Sequence, residues 1–252
     1  MKRLKHCAKM LFITGGIWVV LSLVIIRTKI VDPFFFPDPK ATLVGFYALI
    51  TDGFARDILA TIKRTLIACT LAISIGIPIG LILGRKESWY RNVEFFIDFF
   101  RSMPATALFP LAMLLLGIND APKIAVAACA AGLLILFNTA YGIIHGKKTR
   151  ILAAQLMGAS SLQIFKHILV WESLPQIAVG VRTGVSLSLA IIIVTEMFIG
   201  TSFGIGRRII DMQVVFNIPA MYAAIITAGL VGFILNYIIT QGEHHLIHWT
   251  RE

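Results

Sequence analysis

Charge is what this sequence has least of. Asp, Glu, Lys and Arg together make up 14% of its 252 residues, where a soluble globular chain carries about 25%. That deficit, beside a hydrophobic content of 58%, argues against a soluble domain of this length and against intrinsic disorder. Cysteine is scarce too. Cys7, Cys69 and Cys129 are isolated from one another, which argues against a disulfide scaffold and against a thiolate metal site. The signatures of phosphate, dinucleotide and hydrolytic chemistry are missing. Gly142–Lys148 has three residues between its glycines instead of four, and no hydroxyl residue follows, so it is no Walker A loop. Gly204-Ile205-Gly206 lacks a third glycine at dinucleotide spacing, and neither G-x-S-x-G nor H-E-x-x-H occurs.

Long apolar runs are abundant. A helix needs about 17–25 predominantly apolar residues to cross a bilayer. Six stretches qualify: residues 10–26, 65–84, 102–118, 124–144, 177–199 and 219–239. The reading is one polytopic, all-α transmembrane domain over residues 1–252, with six membrane-spanning helices. Residues 10–26 are long for a signal-peptide core and no small-x-small site follows them, so they read as a retained helix. Pro33, Pro37 and Pro39 preclude a continuous helix across residues 31–57. Residues 92–100, with Phe95, Phe96, Phe99 and Phe100 surrounding Glu94 and Asp98, fit a short interfacial helix. No segment outside the spans is long enough to be a domain.

The net charge of +10 sorts by position. With the N-terminus inside, Lys2, Arg3, Lys5, Lys9, Arg85, Lys86, Arg91, Arg101, Lys147, Lys148, Arg150, Lys166 and Arg251 fall in cytoplasmic segments. Fewer cations, Arg27, Lys29, Lys40, Arg56, Lys123, Arg207 and Arg208, fall outside, with Lys63, Arg64 and Arg182 set aside near span ends. The positive-inside rule then puts both termini in the cytoplasm and makes the basic excess a statement of orientation, not of nucleic-acid binding.

Small residues recur every fourth position at Gly76, Gly80 and Gly84, at Gly180, Gly184 and Ser188, and at Ala224, Ala228 and Gly232. Such stripes let helices approach closely, within one chain or between two. Arg182 and Glu196 are the charges most embedded in a span. Fourteen residues apart, roughly 21 Å along a helix, they cannot pair on a straight one. With Asn138, Ser186, Ser188 and Thr195 they are the candidates for a pathway or gate; each has helix–helix bonding as its alternative. His244 and His248 stand at i, i+4, a spacing two metal ligands can use, but a polar helix end accounts for them, and no metal site is expected.

Residues 145–176, HGKKTRILAAQLMGASSLQIFKHILVWESLPQ, are the most informative. Two helical stretches flank Gly158-Ala159-Ser160-Ser161, giving a helix–Gly–helix knob suited to docking on a partner. This loop resembles the EAA loop of binding-protein-dependent ABC importer permeases, E-A-A-x-x-x-G-A-x8-I-x-L-P. Ala153, Ala154, Gly158, Ala159 and Ile168 match it, with Ser160 in the break; Leu152, Val170 and Trp171 depart from it. Arg101-Ser102-Met103-Pro104, Asn138-Thr139, Gly180-Val181-Arg182, Thr195-Glu196 and Gly204-Ile205-Gly206 extend the similarity to the nitrate/sulfonate/taurine branch.

The resemblance implies a type I importer permease fold in a bacterial plasma membrane. It implies a second permease subunit, two ABC ATPase subunits gripping the loop, and an extracytoplasmic solute-binding protein. ATP and Mg would be bound by the ATPases, so this chain would be no enzyme and would hold no cofactor. Arg207, Arg208 and Lys123 would place positive charge at the outer mouth, where an anion enters. A stand-alone secondary transporter or channel is the competing reading. It calls for internal inverted repeats, which the sequence does not show.

Overall fold

A computed structural model describes Gly16 and residues 34–146, 148–198 and 200–246. The described residues form helices and no strands. In chain order these are α1 (Pro39–Thr51), α2 (Phe54–Gly84), α3 (Glu87–Ser102), a 3-10 turn (Ala105–Leu108), α4 (Phe109–Leu116) and α5 (Ala121–Ile144). There follow α6 (Lys148–Leu156), α7 (Ser161–Ile164), a π turn (Phe165–Leu169), α8 (Val170–Glu196), α9 (Ile205–Val214) and α10 (Ile218–Leu246).

Four helices are long and apolar enough to cross a bilayer: α2, α5, the unbroken run Ser161–Glu196, and α10. They contain the expected spans at 65–84, 124–144 and 219–239 and most of 177–199. The expected span at 10–26 lies outside the described residues apart from Gly16.

The third expected span, 102–118, is not one straight helix. Glu87–Ser102 and Ala105–Leu116 meet at 85° and make a span only as a bent pair. Met103 is extended at φ −77°, ψ 131°, because the ring of Pro104 disfavours the α region for the residue before it. The prolines of residues 31–57 also act locally: Pro39 occupies the first turn of α1, where a missing N–H costs nothing.

α5 is the central helix, packed along α2 on one side and α8 on the other. The glycine stripes make this possible within one subunit. A Cβ on Gly80 would stand 2.6 Å from Thr139 Cβ and 2.7 Å from the Leu136 carbonyl, and one on Gly84 would stand 2.7 Å from Ile143 Cβ. On the other side, a Cβ on Gly180 would be 2.7 Å from Asn138 Cβ. α3 lays Tyr90 and Ile97 against Leu136 and Ala140 of α5, leaving Phe95, Phe96, Phe99 and Phe100 exposed as an interfacial helix would.

Candidate functional site

Two features stand at opposite ends of the run Ser161–Glu196, which at 1.5 Å per residue is about 54 Å long.

The first is a buried ionic clasp at its C-terminal end. Glu196 is 0% exposed, and Arg64 of α2 is buried against it. Arg64 Nη1 donates to Glu196 Oε1 at 2.6 Å and to the Phe203 carbonyl at 2.6 Å. Its Nε lies 2.9 Å from Asp120 Oδ1, an ion-pair contact without hydrogen-bond alignment. Thr61 Oγ1, one turn before Arg64 on α2, donates to the Glu196 carboxylate at 2.8 Å.

The clasp also closes the N-terminus of α9. The first N–H groups of a helix have no partner within it, and Gly204, the cap residue here, has no side chain to offer. Three successive amides are met from elsewhere. Gly204 N–H donates to Asp57 Oδ1 at 2.9 Å, Ile205 N–H to Thr61 Oγ1 at 2.9 Å, and Gly206 N–H to Glu196 Oε2 at 3.1 Å. Two carboxylates at this helix end also complement its positive dipole. The glycines are needed for approach: a Cβ on Gly204 would fall 2.5 Å from Glu196 Cδ, and one on Gly206 would collide with the Ile193 carbonyl. Arg208 completes the arrangement, donating to Asp57 Oδ2 at 2.9 Å and to Asp52 Oδ2 at 2.6 Å.

Electrostatics at the rim follow from these contacts. Burial alone would raise the Asp120 carboxyl, but Arg64 and Lys123 beside it hold it below the usual aspartate range. Burial likewise works against the Arg208 guanidinium, yet Asp57 and Asp52 raise its pKa further.

Three cations expected to stand free at an outer mouth are therefore engaged. Arg208 is bound as described, Arg207 pairs with Asp211 at 2.9 Å, and Lys123 is 1% exposed. The Lys123 ammonium donates to the Asn119 carbonyl at 2.9 Å and sits 3.4 Å from Asp120. Local carboxylates and carbonyls neutralise the positive charge that the sequence alone left facing solvent.

The second feature is the turn at the N-terminal end of the long run. α6 ends in a Schellman arrangement: Ala159 N–H donates to the Ala154 carbonyl and Gly158 N–H to the Gln155 carbonyl, both at 3.0 Å. Gly158 takes φ +81°, the left-handed conformation that this motif demands at that position. Ser160 then opens α7 with a capping box. Its Oγ accepts from Gln163 N–H, while Gln163 Oε1 accepts from Ser160 N–H at 2.7 Å. Arg150 Nη1 to Glu172 Oε1 at 2.7 Å ties α6 back to α8.

The result is a stiff knob that presents apolar side chains outward. Leu156 is 90% and Met157 87% exposed, with Leu152 and Leu162 also exposed. Ala154, Gly158, Ala159 and Ile168 border a shallow cleft of ≈ 400 Å³ behind it. Ala153, the remaining residue expected in the loop, lies in the same α6.

The other sequence candidates separate. Thr195 is buried and donates to the Ile192 carbonyl. Ser188 is buried beside Cys69. Asn138 is buried between helices, with its Oδ1 accepting from Gln176 Nε2 at 3.0 Å. Of these candidates, Arg182 and Ser186 are the ones that retain accessible surface. Thr61, Arg64, Asp57 and Asp120 were not singled out from the sequence. The cations Arg56, Lys63 and Arg64 and the acid Asp57 at one end of α2 were the available signal, but Glu196 and Gly204, which Arg64 and Asp57 meet, lie more than a hundred residues away. The His244/His248 pair extends beyond the described residues.

Comparison with known proteins agrees with this architecture. The fold matches that of a methionine ABC transporter in inward-facing conformations, with TM-score 0.64 and 19% identity over 79% of this chain and 96% of that one. A probable ABC transporter permease of Brucella melitensis is 32% identical over 84% of this chain and 87% of its own. The taurine transport system permease of Escherichia coli is 23% identical over 93% and 86%. The nitrate import permease of a Synechocystis strain is 29% identical over 81% and 77%. Residues 76–247 match the family described as the binding-protein-dependent transport system inner membrane component. The chain belongs to that family of ABC importer permeases, a multipass inner-membrane protein with an all-helical type I fold.

Proposed function

We propose that this chain forms the translocation pathway of an importer for a small anion, working as one of two identical permease subunits. Two ABC ATPase subunits hold ATP and Mg and engage the turn at Gly158 from the cytoplasm. An extracytoplasmic binding protein delivers solute at the end that carries the clasp, and both termini lie in the cytoplasm. The relatives named for taurine and nitrate transport support an anionic substrate.

The observation that carries the coupling role is the turn itself. A rigid, capped knob with Leu156 and Met157 almost fully exposed serves no purpose in the subunit alone, because exposed apolar side chains on an ordered turn mark a contact surface. A groove on a nucleotide-driven partner would hold it, so that partner closure moves the whole helix behind it. The clasp, at the far end, fixes α2, α8 and α9 as one body and is the outer gate's hinge point.

Gly158→Trp tests the coupling. Nothing lies within 4 Å of a Cβ added there, so a bulky side chain meets no resistance inside the subunit. The left-handed φ adds about 1–2 kcal/mol of strain. Insertion should persist, while anion uptake and co-purification of the ATPase should be lost; full uptake by this variant would sink the coupling role. Solute moving down its gradient through the purified chain alone in liposomes would favour the stand-alone channel instead.

A further inference from the structure

Arg182 sits twelve residues into α8 and fourteen before its end, about a turn and a half inside the span at 177–199. The residue is half-buried and makes no ion pair among the described residues. The acids that could neutralise it are engaged or out of reach: Glu196 is in the clasp, Glu172 is held by Arg150, and Glu243 of α10 lies beyond 4 Å. A free guanidinium facing hydrocarbon is costly, so such a side chain faces water, a partner or an anion.

Polar groups follow it along the helix. Ser186, one turn along the same face, is exposed and donates to the Arg182 carbonyl at 3.2 Å. On the neighbouring helix, Asn236 Nδ2 of α10 donates to Ser186 Oγ at 2.7 Å. α10 runs antiparallel to α8. Leu189 lies opposite Gly232, where an added Cβ would be 3.1 Å from Leu189 Cδ2. That register brings Thr240, one turn after Asn236, level with Arg182. Ser186 is ten residues from the clasp, about 15 Å, which is half the thickness of the hydrocarbon core.

We infer that the polar face of α8 beside α10 is an anion station within the membrane, at which Arg182 pairs with a small oxyanion while Ser186 and Asn236 keep it hydrated. This deepens the importer reading by giving its pathway a binding site. A guanidinium fork suits a trigonal or tetrahedral set of acceptor oxygens, such as a nitrate, carboxylate or sulfonate group. A neutral solute would leave the Arg182 charge unmet at that depth.

The test uses the full chain in native membranes, with Cys7, Cys69 and Cys129 replaced by Ala and Ser186→Cys introduced. Two water-soluble thiosulfonates of similar size are the probes, one bearing a sulfonate and one a quaternary ammonium. Relative to each reagent's rate with a free thiol in solution, the sulfonate reagent should modify Ser186→Cys about ten-fold faster than the cationic one, as a local positive potential dictates. Arg182→Gln should abolish the preference and Arg182→Lys keep it. No modification by either reagent, a cationic preference, or a preference unmoved in Arg182→Gln overturns the anion station. Labelling after denaturation reports insertion of each variant. If Arg182→Gln does not insert, the anionic preference with native Arg182 and in Arg182→Lys decides. This readout needs neither uptake nor ATPase binding, so it fails separately from the Gly158 test.

Discussion

Removing the charge of Glu196 while keeping its shape is the most direct probe of the clasp. In Glu196→Gln the side chain fits the same space but loses half its acceptors. Its amide NH2 must face either Arg64 Nη1, now 2.6 Å from Oε1, or the Gly206 N–H, now 3.1 Å from Oε2. In either orientation a donor meets a donor, and with the NH2 towards Arg64 its charge keeps only the Phe203 carbonyl and the contact to Asp120. Breaking one partner of a buried ion pair costs about 3–5 kcal/mol. Because the clasp closes one local unit, that cost should appear as local opening of the α9 N-terminus. Hydrogen exchange at Ile205 and Gly206 is the assay. A loss of about 3 kcal/mol accelerates exchange by roughly a hundredfold or more, with the amides in the middle of α5 unaffected. Unchanged exchange at Gly206 would refute the assignment of its N–H to the carboxylate. The double variant Arg64→Met, Glu196→Leu should recover part of the loss, since replacing both charges with apolar groups removes the unmet one.

The packing and capping claims are as accessible. Gly80→Leu should destabilise the subunit more than Gly132→Ala, because its side chain would enter Thr139 and the Leu136 carbonyl while Gly132 has ordinary clearance of 3.7 Å to Ala72. Overpacking of this kind costs about 1–3 kcal/mol, and thermal unfolding in detergent reads it. Ser160→Ala removes the cap of α7 and should cost about 1 kcal/mol, loosening protease resistance around Gly158 without loss of insertion. Asp120 has a lowered pKa, so its contribution to stability is complete above its unfolded value of about 3.9 and is lost as pH falls through the lower folded value. Stability should be flat from neutral pH to about pH 5 in this respect, and Asp120→Asn should shrink the loss on the acid side; an unchanged acid limb would show that the pairing with Arg64 adds nothing.

The parts of the fold governed by short-range chemistry were legible. Charge-free runs marked the long helices, four-residue glycine spacing marked the faces that meet α5, and Gly158 with Ser160 two residues on marked the capped turn. The break in the third span was also written locally, in Met103-Pro104, but the apolar content of residues 102–118 hides it from a search by hydropathy. The clasp was not legible. Gly204 offers no capping side chain, so nothing near it announces a helix start, and the groups that satisfy it are Asp57 and Thr61, reached only after folding. Arg208 looked free for the same reason, because Asp57 and Asp52 reach it only after folding; Lys123 and Arg207 are met mainly by near neighbours, Asn119 and Asp120 for the one and Asp211 for the other.

The unbroken run from Ser161 to Glu196 has a mechanical consequence. One end is welded into α2 and α9 by charge, and the other carries the exposed knob. A rod of about 54 Å held at one end tilts by about 1° for each ångström its free end is pushed. Small strokes at the knob therefore arrive at Arg182 reduced by the lever ratio, and they reach the clasp chiefly as torque. The π turn Phe165–Leu169, close to the driven end, is where such a lever can yield before its fixed end does.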